Sequence, residues 1–173
     1  NMYKDQEKFV EAKDMYEKAL AVKPLQIGAL IGLGWVMYHE KDYRKAQDHF
    51  EKAAQVYPQI SLVWKELGWF YKCRKDYTHA SAAFEKAISL NIRNYRVFLE
   101  LAWIYKQEKK YAEAEHVLRQ AIKMNPRDDR AIGEMAVLYR EMDRLFDAEN
   151  MRKKAELLRL KHMNALTVKN YRK

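Results

Sequence analysis

Between Ser61 and Asn94 the apolar and small residues fall into two helical stripes separated by a polar break. Trp64, Leu67, Gly68 and Tyr71 stand at i, i+3, i+4 and i+7 of a first helix, and Tyr77, Ala80, Phe84, Ala87 and Ile88 line a second. The pattern predicts two helices packed back to back. They should cross where the small residues Gly68 and Ala80 sit, because a larger side chain at a crossing overpacks it by roughly 1–3 kcal/mol.

The same pattern recurs at a step of 34 residues. Residues 27–60 carry Leu30, Leu33, Gly34, Met37, Tyr43, Ala46, Phe50 and Ala53, and residues 95–128 carry Phe98, Leu101, Ala102, Tyr105, Tyr111, Ala114, Leu118, Ala121 and Ile122. Pro24, Pro58 and Pro126 confirm the register, being 34 and 68 residues apart. Each ends a helix, since proline has no N–H donor and restricts the residue before it. The unit 61–94 lacks only its closing proline and has Ile92 there. Residues 1–26 match the second part of a unit, through Phe9, Ala12, Tyr16, Ala19 and Leu20, so the chain opens inside a repeat and a native N-terminus upstream is expected. Residues 129–163 begin in pattern with Ile132, Met135, Ala136 and Tyr139, but Arg152 stands where Phe84 stood. A polar capping helix is expected from Leu145 to about Met163, because a terminal element needs a soluble outer face. Residues 164–173 carry no stripe and read as a linker or tail.

The order W-x-x-L-G-x-x-Y then A-x-x-x-F, in a unit of 34 residues, resembles the tetratricopeptide repeat. The resemblance covers roughly Tyr3 to Ala155. It implies an all-α fold, a right-handed α–α superhelix of antiparallel helix pairs. It also implies that first helices line a concave groove that binds a peptide or protein and that catalysis is absent. Within such repeats the residue after the small one points into the groove, and here it is Trp35, Trp69 and Trp103, again in steps of 34. Three residues further on stand Tyr38, Lys72, Lys106 and Arg140. These residues are expected to form a ladder of indoles and cations that contacts a ligand, with a preference for acidic partners. The alternative is that the indoles pack against neighbouring helices. Lys65 and Lys72 bring to mind the family's carboxylate clamp, but a Trp occupies the place of its Asn, and the clamp does not carry over.

Composition narrows the remaining functions. No apolar run approaches the ~20 residues of a membrane span. The chain carries one cysteine, Cys73, which cannot form an internal disulfide and points to a reducing, cytoplasmic setting. The net charge is +9, and residues 140–173 hold ten Lys or Arg against five Asp or Glu, leaving 23 against 19 upstream. The five histidines, His39, His49, His79, His116 and His162, form no i, i+4 pair, so no metal site is expected. Neither a phosphate loop nor a nucleophile elbow is present, and no cofactor or catalytic residue is expected. A protein-interaction scaffold is therefore the leading expectation. An RNA-binding helical repeat is a second reading, since aromatics and lysines could stack bases and meet phosphates. A third is the non-catalytic arm of a larger enzyme, because residues 164–173 resemble the join to an SGNH-type hydrolase domain. Self-association through the truncated N-terminal unit is also expected, since its stacking neighbour is missing.

Overall fold

The computed structural model describes the backbone of residues 2–170 and the side chains of residues 8–161 and 163. Among these residues every regular element is a helix: α1 Met2–Val22, α2 Ile27–His39, α3 Tyr43–Val56, α4 Ser61–Cys73, α5 Tyr77–Ser89, α6 Tyr95–Gln107, α7 Tyr111–Met124, α8 Asp129–Glu141 and α9 Leu145–Asn170. The chain forms two compact units, Asn1–Ile92 and Arg93–Lys173. In the first, α2 pairs with α3 and α4 with α5, and α1 packs on α2; in the second, α6 pairs with α7 and α8 with α9.

Each pair is closed by the same turn. Lys41, Lys75, Lys109 and Asp143 adopt φ between 59° and 65°, and they lie 34 residues apart. The N–H of the next residue reaches back five positions, as in Asp42 N–H to Met37 O at 2.9 Å and Asp76 N–H to Tyr71 O at 2.9 Å. This is a Schellman closure, which satisfies carbonyls that the helix end leaves without partners. The chain then starts its second helix at once: the Asp42 and Asp76 carboxylates accept from the Lys45 and His79 backbone N–H, capping α3 and α5. The first unit has no such turn near residue 7, and α1 runs unbroken from Met2 to Val22. Where Ile92 replaces the closing proline, Asn91 takes φ 58° and the Ile92 N–H bonds Ala87 O at 3.2 Å. The turn geometry there does what proline does at the other junctions.

Pairing depends on a small residue beneath a large ring. A Cβ built on Gly68 would lie 2.6 Å from the Phe84 ring, and one on Gly34 would lie 2.8 Å from Phe50. Phe84, rather than the expected Ala80, therefore faces Gly68, and Ala80 is buried alongside. In the next pair the two positions are Ala102 and Leu118, both buried, so a larger small residue accompanies a smaller large one. In the last pair Ala136 faces the position of Arg152, whose side chain leaves the crossing to bond Glu149 and Glu156.

Each first helix carries a second buried stripe, Ala29 and Val36, Val63 and Phe70, Val97 and Ile104, Ala131 and Leu138, all at most 4% exposed, and within each unit it helps to stack one pair on the next. Phe70 meets Phe50 of the preceding helix at 5.2 Å between centroids. Polar clasps reinforce the stacking inside each unit. Tyr71 donates to Glu51 at 2.6 Å, and Tyr139 donates to Glu115 at 2.7 Å. Burial, with the Glu115 carboxylate next, pushes the Tyr139 phenol above its ordinary value.

The ends differ from the expected pattern. Helix α9 continues to Asn170 rather than stopping near Met163, since residues 164–170 contain neither Gly nor Pro to end it. Nor is it a polar cap: Leu145, Phe146, Leu157, Leu160 and Met163 are exposed, Phe146 at 80%. At the other end Val10, Met15 and Val22 of α1 are exposed too.

Two substitutions check this account. Gly68→Ala is expected to destabilise by about 1–3 kcal/mol. Gly28→Ala, where an added Cβ meets nothing within 4 Å, should be neutral or stabilising, so equal urea midpoints for the two would refute the crossing. Lys75→Gly should raise stability by up to about 1 kcal/mol, because a left-handed non-glycine residue costs about 1–2 kcal/mol and the added freedom of the unfolded chain offsets part of the gain.

Candidate functional site

The indole positions lie one residue after each small crossing residue, and that offset determines their surroundings. The preceding residue faces the partner helix, the following one (Val36, Phe70 or Ile104) is buried in the stacking stripe, and the indole is left at the border between core and surface. Trp35, Trp69 and Trp103 are all half-buried. The Trp35 ring sits edge-on to Phe50 at 5.1 Å, and the Trp69 ring edge-on to Phe84 at 5.7 Å. Edge-to-face contacts of this kind are favoured by the ring quadrupoles. Trp35 and Trp69 are thus each braced by the phenylalanine that fills their helix crossing, whereas the crossing residue of the Trp103 pair is Leu118.

Charged neighbours complete the face in the first unit. Trp35 Nε1–H donates to Glu66 Oε2 at 2.9 Å, while Lys65 Nζ holds Glu66 Oε1 at 2.8 Å. Glu66 therefore joins α2 to α4 through one carboxylate. Lys72 Nζ lies 5.1 Å from the centre of the Trp69 ring, within cation–π range. Tyr38 is an aromatic packing residue, with Trp35, Tyr43 and Phe70 rings at 5.7, 5.4 and 6.3 Å. Burial, with the Cys73 side chain beside it, raises the Tyr38 phenol above its ordinary value, so it stays a neutral donor.

In the second unit Lys106 is matched by Glu134 at 3.3 Å and Glu141 at 3.7 Å, and its side chain is only 11% exposed. Arg140 is exposed and forms no ion pair or hydrogen bond among the described residues. It lines a cleft between α8 and α9 instead. The residues singled out in the sequence therefore separate into three settings: Trp35, Tyr38 and Lys65 around Glu66; Trp69 with Lys72; and Trp103 and Lys106 on α6, apart from Arg140 on α8.

Sequence reasoning missed the carboxylates. Glu66, Glu100 and Glu134 stand 34 residues apart, as regular as the tryptophans, and all three are half-buried. That spacing was the available signal. The first-helix face is consequently one of matched charges rather than a cationic stripe. Among the described residues no group of three or more His, Cys, Asp or Glu side chains could hold a metal ion. No described helix is long and apolar enough to cross a membrane.

Helix pairs closed by equivalent turns every 34 residues, with a small residue at each crossing and a phenylalanine ring over it in two of them, define a tetratricopeptide-repeat solenoid. The chain belongs to the family of the cilia and flagella-associated protein 70 C-terminal domain, whose model matches residues 1–167. No curated protein matches it significantly in sequence. Solved structures similar to it include MamA, at 20% identity over 93% of this chain and 94% of that one, with a TM-score of 0.82. Another is pilF of Pseudomonas aeruginosa, at 24% identity over 90% and 71%, with a TM-score of 0.76. A third is YrrB, described as a tetratricopeptide-repeat protein with an unusual peptide-binding site, at 23% identity over 98% and 88%, with a TM-score of 0.74. These similarities establish the fold.

The matched pairs carry a stability prediction. Lys106→Met is expected to lower stability by about 1 kcal/mol or less, because the carboxylates it leaves are partly exposed to water. The deficit should shrink at about 1 M salt, where the Debye length falls to about 3 Å. A deficit that grows with salt, in paired thermal melts, would argue that Lys106 acts through packing alone.

Proposed function

We propose that the chain is a non-catalytic protein-interaction module that holds peptide segments against its first-helix faces, with Trp35 and Trp69 in the first unit and Trp103 in the second as the main contacts. The observation that carries this reading is the bracing of the half-buried indoles Trp35 and Trp69 by the core phenylalanines Phe50 and Phe84. A rigid aromatic surface held in place before binding loses little entropy when a ligand covers it, and tryptophan is the residue most enriched among dominant interface contacts. Lys65, Lys72 and Lys106 with their carboxylates would then select polar ligand groups at the rim. The resemblance to YrrB, whose description names a peptide-binding site, supports the class of ligand. The family's description names cilia and flagella, so proteins of those structures are the first candidates for the partner.

A peptide fits this face better than RNA does. Glu66 and Glu134 already hold Lys65 and Lys106 at 2.8 and 3.3 Å, so cations that phosphates would need for nucleic-acid affinity are matched within the protein.

Peptides selected on the wild-type chain from a random display library, then measured against Trp69→Ala, test the proposal. Binding is expected to weaken by about 2 kcal/mol or more. The loss of stability should be smaller than for Phe84→Ala, a fully buried truncation expected to cost about 3–5 kcal/mol. Thermal melts and affinities on the same samples separate the two effects. A folded Trp69→Ala protein with undiminished binding would remove the indole from the mechanism.

A further inference from the structure

Lys106 has an unfilled counterpart one repeat on. Within the second unit, α8 stacks on the α6/α7 pair and brings two carboxylates, Glu134 and Glu141, to the Lys106 ammonium. They are seven residues apart, two turns along one helix face. Arg140 holds the register of Lys106 on α8 and has no ion pair among the described residues. Around it the surface is open rather than filled. Val137 stands at the tryptophan position, a Cβ on Gly133 would meet nothing within 4 Å, and Arg152 has turned out of the crossing above Ala136. The result is a cleft of about 460 Å³, lined by Gly133, Val137, Arg140, Leu160 and Met163 among others, which adjoins a second of about 310 Å³ over Ala136 and Ala148.

We propose that this end face of the second unit docks an amphipathic helix of a partner protein, one that offers two carboxylates seven residues apart to Arg140 and a large apolar side chain to the space above Ala136. Charge decides the occupant. Arg152 is already held by Glu149 and Glu156, and Arg159 by Asp129 at 3.0 Å. Arg152 meets both Glu149 oxygens at 2.8 Å, and this pairing lowers the Glu149 carboxyl below its ordinary value. Of the three arginines that line the cleft, Arg140 is thus the one without an ion pair among the described residues, and it lies beside exposed Leu160 and Met163, which suits a helix that pairs carboxylates with an apolar stripe. A polyphosphate or an anionic membrane needs several free cations at one place, and the described lining of the cleft offers one. The way α8 stacks over Lys106 provides the template, and this docking is separate from peptide binding at the tryptophans.

The test uses the full chain and a stapled helical peptide with Glu at two positions seven apart and a Phe between them, measured by fluorescence anisotropy. Its partner peptide carries Gln in place of both Glu. The Glu peptide is expected to bind at least about tenfold more tightly than the Gln peptide. Arg140→Glu should remove that preference, and a peptide with Lys at both positions should recover binding to the Arg140→Glu chain. Gly133→Trp, which fills the cleft from an open position, should abolish binding, whereas Trp69→Ala should leave it unchanged. Equal affinity of the Glu and Gln peptides, or indifference to Arg140→Glu in a folded protein, overturns the proposal. Sedimentation showing that wild type self-associates and that Arg140→Glu is monomeric would assign the face to a second copy instead. Binding to vesicles of anionic lipid that is lost in Arg140→Glu, with no peptide binding, would assign it to a membrane.

Discussion

The close approach of two helices at a side chain too small to hold them apart is the constraint on which the rest depends. Gly34 and Gly68 let the backbone of a first helix come within reach of Phe50 and Phe84, and the ring fills the space that a Cβ would have taken. Packing at native density leaves no slack at such a point, so size must be traded across it. The trade is visible from copy to copy: glycine under phenylalanine twice, then alanine under leucine, then alanine beneath a position where arginine has withdrawn. Where the trade is complete the pair is closed. Where it fails, between α8 and α9, a cleft opens and apolar residues of α9 are left in water.

The same rings tie the indoles to the core. Phe50 and Phe84 fill the crossings and also support the edges of Trp35 and Trp69. The sequence presented core packing and ligand contact as alternatives for these indoles, and in the structure they pack on the core without being buried by it. One edge of each indole rests on a buried ring while the residue as a whole stays partly accessible. A surface of this kind is stiff because the core is stiff. Any change at Phe84 will therefore reach Trp69 even without contact with a ligand.

Much of the fold was legible because the signals were periodic. A step of 34 residues set by three prolines located the helix pairs and the tryptophan register without reference to any structure. The features that escaped lacked a distinctive residue type. The turns at Lys41, Lys75 and Lys109 carry no glycine to mark their left-handed backbone. Ala80 looked like the natural partner of Gly68 because both are small, yet side chains at a crossing complement each other in size, and Phe84 reaches over from the next turn. Glu66 and Glu134 are of a residue type common on any helix surface, although they stand 68 residues apart, twice the step of the indoles. Helix α9 outran its expected end because an absent stripe does not stop a helix; only a breaker or a cap does.

The turns between paired helices also bear on how such an array can change over generations. Their closure rests on backbone hydrogen bonds counted back five residues, and the side chain at the left-handed position is exposed in all four copies. Its identity can drift with little effect on the fold, as the exchange of lysine for Asp143 in the last copy illustrates. Length cannot drift in the same way. One residue gained or lost inside a helix rotates everything beyond it by about 100°, carrying small residues out from under their rings and tryptophans off their face. Copies of this unit are therefore free to diverge in charge and chemistry while remaining locked in number of residues, and new specificities would be expected to arise by substitution or by duplication of whole units.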